Sequence, residues 1–219
     1  MKSYEIKENI NNLKSKKRFY KDKYLNELIN IIINYNGSFK LHHLVRDMFY
    51  VKSLEEYETI LTKYLIIHTT YHKIIFEIYN LFTNWLPFEI YNLGELRGNY
   101  LEMLSYNYLQ QHHDEKIYKE SNIIINDYTS HTWDLIVELN NLHLYECKYS
   151  ARLLKRNHIN QMIGLNNKLP KSELFLVFYD IKEMVDFNIR KLREDTRKEK
   201  FDEIISTFTS ITLDNFIFE

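Results

Sequence analysis

The chain of 219 residues has room for one large domain or two small ones, at roughly 100–200 residues each. Its 45% hydrophobic and 27% charged residues suit a globular protein with a real core, and 29 Lys and Arg against 30 Asp and Glu exclude a uniformly basic coat but not local basic patches. The single cysteine, Cys147, excludes a disulfide framework and a Cys-rich zinc site; no apolar run reaches the roughly 18 residues of a membrane span, and the opening MKSYEIKENINNLKSKK lacks a hydrophobic signal core, so a cytoplasmic protein with no membrane partner is expected.

Residues 1–23 carry eight basic side chains against Glu5, Glu8 and Asp22. They read as a solvated charged arm, with a nucleic-acid-binding tail as the alternative. Leu25, Leu28, Ile29, Ile32 and Ile33 then repeat at helical spacing, with Gly37 suited to the stop. Leu41, Leu44, Val45, Met48 and Phe49 repeat it again, with Ser38 available as a cap. Ser53 and Glu56 form a capping-box pattern for a third helix, whose buried side is Leu54, Tyr57, Ile60, Leu61, Tyr64 and Leu65. Residues 66–70 and 73–78 read as two short strands around a turn, and three helices plus a hairpin outline a winged helix. Its third helix exposes Glu55, Glu56 and Glu58 against Lys63. Those acids repel phosphate, so a protein-facing or scaffolding role stands level with DNA reading.

Pro87, Gly94 and Gly98 cluster within twelve residues and mark a domain boundary. Residues 1–88 are expected as the helical, winged-helix-like domain and 89–219 as a second domain. The second reads as helix 100–113, strands 122–127, 133–139 and 142–149, helix 153–167, strand 174–179, helix 182–197 and a final apolar stretch to Phe218. That order is α/β: one mixed sheet flanked by helices.

The chemistry sits in residues 132–150, TWDLIVELNNLHLYECKYS. Asp134, Glu146 and Lys148 interrupt two apolar strands. A carboxylate in a buried strand is costly unless compensated, and two brought together call for a cation. Mg²⁺ takes such oxygen ligands, backbone carbonyls included, so the Cys147 carbonyl joins the set. Lys148 shares a face with Glu146, two residues away, where an ammonium can position a water or stabilise charge on a phosphate. The register is demanding. A two-residue loop at Asn140-Asn141 pairs Leu135 with Glu146 and turns Asp134 to the other face. The site needs Asp134 opposite Glu146, hence a three-residue loop at 139–141 or a bulge. Leu135, Val137, His143, Tyr145 and Cys147 then share the opposite face, under a covering helix.

Asp134, eleven intervening residues, then Glu146-Cys147-Lys148 resembles the PD-(D/E)XK nuclease superfamily, whose fold is restriction-endonuclease-like. Trp133 stands where that family usually has Pro. The resemblance covers about 94–179. It implies a Mg²⁺-dependent nuclease, with Mn²⁺ able to substitute, acting on nucleic acid, with DNA as the expected substrate. Asp134, Glu146 and the Cys147 carbonyl would hold the metal, and Lys148 would orient the nucleophile. Glu102, the acid on the helix before the sheet, would serve a second metal or a water, and Gln161 would lie near substrate. Gly98-x-x-Leu101-Glu102 followed by Glu146-Cys147-Lys148 is also similar to the cyclic-nucleotide-activated CRISPR ancillary nucleases. Their sensor domain is not expected, because the N-terminal half reads helical rather than Rossmann-like.

Between Glu146 and Glu173 the chain carries Lys148, Arg152, Lys155, Arg156, Lys168 and Lys171 and no acid. A polyanion beside the site would meet Arg152, Lys155 and Arg156, with Tyr149 and Ser150 adding hydroxyl contacts. The pairs His42-His43, His112-His113 and His68/His72 are too few to converge as zinc ligands. No phosphate-binding Gly-rich loop and no nucleophile elbow occur. Two other readings stay open: a catalytically inactive nuclease-fold module that binds nucleic acid, and a winged-helix regulator whose second domain assembles oligomers. A homodimer is left open as well.

Overall fold

The computed structural model describes residues 4–35, 39–194, 206–216 and 218. Packing divides the chain into a helical unit, residues 18–107, and an α/β unit made of 1–17 and 108–219. The boundary expected between 88 and 89 falls inside the helical unit. Residues after it stay with the helices because Tyr100 packs its ring on Phe49, 5.0 Å between centroids.

Among the described residues, eight segments supply the helical unit and its borders. These are α1 (Ile10–Tyr20), α2 (Lys23–Asn34), α3 (Phe39–Met48), α4 (Leu54–Ile67), a 3₁₀ turn (Thr69–Tyr71), α5 (His72–Trp85), α6 (Pro87–Ile90) and α7 (Leu93–His112). Asp22 caps α2 by accepting from the Leu25 N–H at 2.9 Å. Ser53 caps α4 through the Glu56 N–H at 3.3 Å, and the Glu56 carboxylate accepts from the Lys52 N–H at 2.8 Å. The stop expected at Gly37 and the cap expected at Ser38 lie outside the described residues. Tyr57 and Tyr64 of α4 are buried as expected, but Leu54 is 53% exposed.

The hairpin expected to complete a winged helix does not form among the described residues. Residues 66–67 finish α4, and 73–78, expected as a strand, belong to α5. The reason lies in Ile74, Ile75, Ile78, Leu81, Phe82 and Trp85, all buried. Their spacing is helical, and it becomes decisive only when residues past 78 are counted in. Phe49 anchors this core, edge-on to Phe82 at 5.1 Å and to Trp85 at 6.2 Å. α5 ends where Leu86 turns left-handed (φ 48°) and Pro87 opens α6.

The α/β unit holds β1 (Glu5–Glu8), β2 (Ile117–Ile125), β3 (Tyr128–Thr129), β4 (Trp133–Glu138), β5 (Leu142–Lys148), α8 (Arg156–Asn166), β6 (Glu173–Phe178), α9 (Lys182–Glu194) and β7 (Phe208–Ile211). The order is β1-β2-β4-β5-β6-β7, with β3 paired to β2. The β1–β2, β2–β4 and β4–β5 pairs are antiparallel, and β5–β6 and β6–β7 are parallel. A seven-stranded mixed sheet flanked by helices is therefore the fold, as the sequence leads one to expect. From Glu5 onward the N-terminal segment is no free arm. Its EIKE stretch forms an edge strand, charged as exposed sheet edges usually are. The helix expected to reach 197 is described only to Glu194. No described helix is long and apolar enough to cross a membrane.

The β4–β5 turn has three residues, 139–141, closed by the Leu139 N–H on the Asn141 carbonyl at 3.0 Å. Leu135 pairs with Tyr145 and Glu138 with Leu142. This is the register that the site requires. One face buries Ile136, Leu144, Leu174 and Leu176 beneath Ile159, Met162 and Leu165 of α8 and Val185 of α9. On the other, Tyr145 stacks on Phe175 at 4.6 Å and meets Phe218 at 6.0 Å. Tyr108, near the end of α7, closes on Phe216 and Phe218.

Deleting Asn140 leaves a two-residue loop and forces β5 to slip by one, which sends Leu142 and Leu144 to the wrong face. The deletion variant is expected to lose its cooperative unfolding transition in urea. Asn140→Gly, which keeps the loop length, stays within about 1 kcal/mol of wild type.

Candidate active site

β4 and β5 meet at mid-sheet, and their ladder stops at Leu135–Tyr145. One step beyond, the same register sets Asp134 opposite Glu146. On the far side of β4, the β2 ladder pairs Lys119 with Leu135 and Ser121 with Trp133. Glu120 lies between them, opposite Asp134. Three carboxylates thus occupy one row across β2, β4 and β5. Glu120 is buried at 2% exposure and sits at φ 44°. That left-handed conformation is uncommon for a residue with a long side chain. Here it lets the Glu120 carbonyl accept from the Asn9 N–H at 2.6 Å, while its carboxylate meets the Lys16 ammonium and the Asn12 amide at 3.0 Å.

The cations are unevenly shared. Lys16 pairs with Glu120, and Lys148 with Glu146. His131 Nε2 stands 3.3 Å from the other Glu146 oxygen, its ring 4.3 Å from that of Trp133. Asp134 accepts instead from the backbone N–H of Cys147, at 2.6 Å. The ionisation follows this pattern. Burial and then the negative charge of Glu146 push Asp134 up to about 6, against the pull of Lys148 and Lys16. Burial alone would raise Glu146 too, but the His131 hydrogen bond and Lys148 hold it down at about 2. Burial opposes the charge on Lys148, yet Asp134 and Glu146 keep it above the usual lysine range. His158, on α8, is pushed down by burial and by Lys148. Its Nδ1 accepts from the Lys155 N–H at 3.2 Å, so the neutral ring carries its proton on Nε2.

These groups suit a hard divalent cation. The donors are all oxygen: Glu120, Asp134, Glu146 and the Cys147 carbonyl, the last reached by Lys148 Nζ at 3.4 Å. Carboxylate oxygens of Glu120 and Asp134 lie within 4.8 Å of each other. Two ligands of one Mg²⁺ or Ca²⁺ sit at most roughly 4.2–5 Å apart, so the pair needs little adjustment to share an ion. Three carboxylates against two ammonium groups leave a negative surplus that an ion would offset.

Asp134, Glu146, Cys147 and Lys148 lie together at this point of the sheet. Arg152, in the 3₁₀ turn Ala151–Leu153, and Lys155 and Arg156, at the start of α8, are exposed. Gln161 is exposed on α8, one turn after His158. Glu102 lies half-buried on α7, in the helical unit. Tyr149 differs from expectation. Strand alternation turns it away from Lys148, and it is buried with its ring 5.1 Å from that of Tyr179, so it offers phosphate no hydroxyl at the surface. Ser150 caps the 3₁₀ turn and lies 3.4 Å from Asp180. His42 is fully buried and pushed down to about 3 by burial and by His43, hence neutral. No histidine joins a metal-holding cluster among the described residues. Sequence reasoning missed Glu120, Lys16 and His131. An acid inside IYKESNIII was the visible signal for Glu120.

Neither a protein-family model nor a curated protein matches this chain. Among solved structures, protein VC1899 from Vibrio cholerae superposes with a TM-score of 0.46 at 13% identity, over 97% of this chain and 55% of its own. Can2 from Sulfobacillus thermosulfidooxidans, solved in complex with cyclic tetra-adenylate, gives a TM-score of 0.41 at 13% identity, over 86% and 52%. This chain spans about half the length of either. Superpositions this loose establish neither a shared fold nor a shared activity.

Folding raises the Asp134 carboxyl above its unfolded range. Its contribution to stability is full below the unfolded carboxylate range and is lost as pH rises through about 6. Asp134→Asn keeps an acceptor for the Cys147 N–H and removes the charge. In EDTA it is expected to melt above wild type at about pH 8, with the gap closing toward about pH 4, at roughly 2–4 °C per kcal/mol. Mg²⁺ raises the melting temperature of wild type and not of this variant. Circular dichroism melts check both points; a gap that widens toward acid would contradict the assignment. Lys16→Ala strips the ammonium from buried Glu120 and is expected to cost about 3 kcal/mol in urea denaturation, against about 0.5 for exposed Lys17→Ala.

Proposed function

We propose that this chain is a divalent-metal-dependent nuclease of the PD-(D/E)XK type, hydrolysing phosphodiester bonds in DNA. One observation carries the reading: Asp134 stands opposite Glu146 across β4 and β5 in a register that a three-residue loop makes obligatory, with Lys148 on the Glu146 carboxylate. A charged trio in the middle of an apolar sheet is costly to maintain, and chemistry is the reason to maintain it.

Asp134, Glu146 and the Cys147 carbonyl would hold a Mg²⁺ or Mn²⁺, with Glu120 beside Asp134. Such an ion supplies Lewis-acid polarisation of a phosphoryl oxygen. The protein's own groups do the rest. Lys148 is held protonated, so it acts as a donor and a positive charge toward a phosphate oxygen or a water, not as a proton acceptor. His131 and Lys148 fix the two oxygens of Glu146 and so orient that carboxylate. Arg152, Lys155 and Arg156 offer exposed positive charge to the backbone of the strand. Glu102 would serve a second metal or a water.

The test is nicking of supercoiled plasmid in Mg²⁺, Mn²⁺ or EDTA, with single-stranded RNA in a parallel arm. Cleavage is expected with either metal and not in EDTA. Glu146→Gln, which retains hydrogen bonds to Lys148 and His131, is expected to lose about 100-fold or more. Nicking by this variant at the wild-type rate overturns the site. Metal-independent DNA binding by wild type with no cleavage means an inactive binding module, and faster cleavage of RNA overturns the choice of DNA.

A further inference from the structure

α9 packs against the 3₁₀ turn Ala151–Leu153, and a cavity of about 450 Å³ opens between them. Its lining is Arg152, Leu154, Phe187, Asn188, Lys191 and Leu192. On α9 the spacing 187, 188, 191, 192 is one helical face. Leu154 is a buried floor, whereas Phe187 is 57% exposed. Arg152 and Lys191 are exposed, and among the described residues neither has an acidic partner. Among the described residues the lining contains no acid. Arg152 follows Lys148 by four residues, so along an extended chain the two are at most roughly 14 Å apart.

Phe187 presents a flat, solvent-facing ring beside Asn188 and Lys191, a surface on which a planar base can stack. Two exposed cations beside a flat aromatic ring match one chemical unit, a phosphate joined to a planar base. We propose that this cavity takes one nucleotide of the substrate strand beside the cleavage site, with the base stacked on Phe187 and the phosphates on Arg152 and Lys191. The choice of ligand rests on the reading of the chain as a nuclease. Because a base in this cavity must be unstacked from its neighbours, the strand held here is single.

The probe is a fluorescein-labelled oligothymidylate, titrated with the full chain in EDTA over a salt series and read by fluorescence anisotropy. Phe187→Ala is expected to raise the Kd about tenfold, given roughly 1–3 kcal/mol per stacked base, with Phe187→Trp binding at least as well as wild type. Arg152→Ala and Lys191→Ala are each expected to reduce the log–log salt slope by about 0.7, the value for one phosphate on a single strand. All are surface substitutions, and circular dichroism melts matching wild type verify folding. A Kd for Phe187→Ala within about twofold of wild type, or unchanged salt slopes for both charge variants, overturns the cavity assignment. Equal affinity for a labelled polyglutamate overturns it too, since charge alone would then explain binding. The two readings fail separately. If Phe187→Ala binds weakly but no metal supports cleavage, the nuclease reading falls and the cavity stands. If wild type cleaves and Phe187→Ala binds as wild type, only the cavity falls.

Discussion

The parity of one turn governs this sheet. With three residues between β4 and β5, Asp134 lies opposite Glu146, and Ile136 and Leu144 enter the same apolar layer. With two, every side chain of one strand changes face. The core and the carboxylate site therefore depend on the same loop, and a slip of the register disrupts both. A surface turn carries that much weight because alternation in a strand has a period of two and allows no intermediate setting.

The second constraint is electrostatic. Three carboxylates in adjacent strands repel, and the protein answers with side chains drawn from distant parts of the chain. Lys148 comes from the same strand as Glu146, whereas Lys16 comes from α1, more than a hundred residues from Glu120. Asp134 is left with a backbone donor and the weakest compensation, which is why its carboxyl rises while that of Glu146 falls. The left-handed backbone at Glu120 belongs to the same arrangement. Its carbonyl and its carboxylate both bind the N-terminal segment, so residues 9–16 are tied to β2 by three hydrogen bonds, one of them charged on both sides. The basic N-terminal stretch thus contributes to the sheet's stability and to the charge balance of the site.

In the helical unit, packing overrides local propensity. Residues 73–78 hold isoleucine and phenylalanine, which favour strands, yet they form the first half of a helix whose apolar face continues to Trp85. Phe49, Phe82, Trp85 and Tyr100 close around one another, and burial of that aromatic cluster is worth more than the preference of a few β-branched residues. The acidic outer side of α4 remains exposed to solvent.

What the sequence by itself determined is local and periodic. The helices over 23–34, 39–48 and 54–67, the strand pair around 139–141, the burial of Leu135 and Tyr145, and the grouping of Asp134, Glu146 and Lys148 all follow from spacings within about fifteen residues. The requirement for a three-residue turn or a bulge follows too, since it is a matter of parity; the tertiary structure took the turn. The tertiary structure decided the rest, because it depends on contacts between residues far apart in sequence. Nothing near Lys16 announces Glu120 as its partner, His131 gains meaning only when β4 brings it to Glu146, and Tyr149 loses its surface role only when Tyr179 covers it. The edge strand at 5–8 is equally silent in the sequence, since a short charged strand has no apolar period and exists only because β2 offers it a ladder.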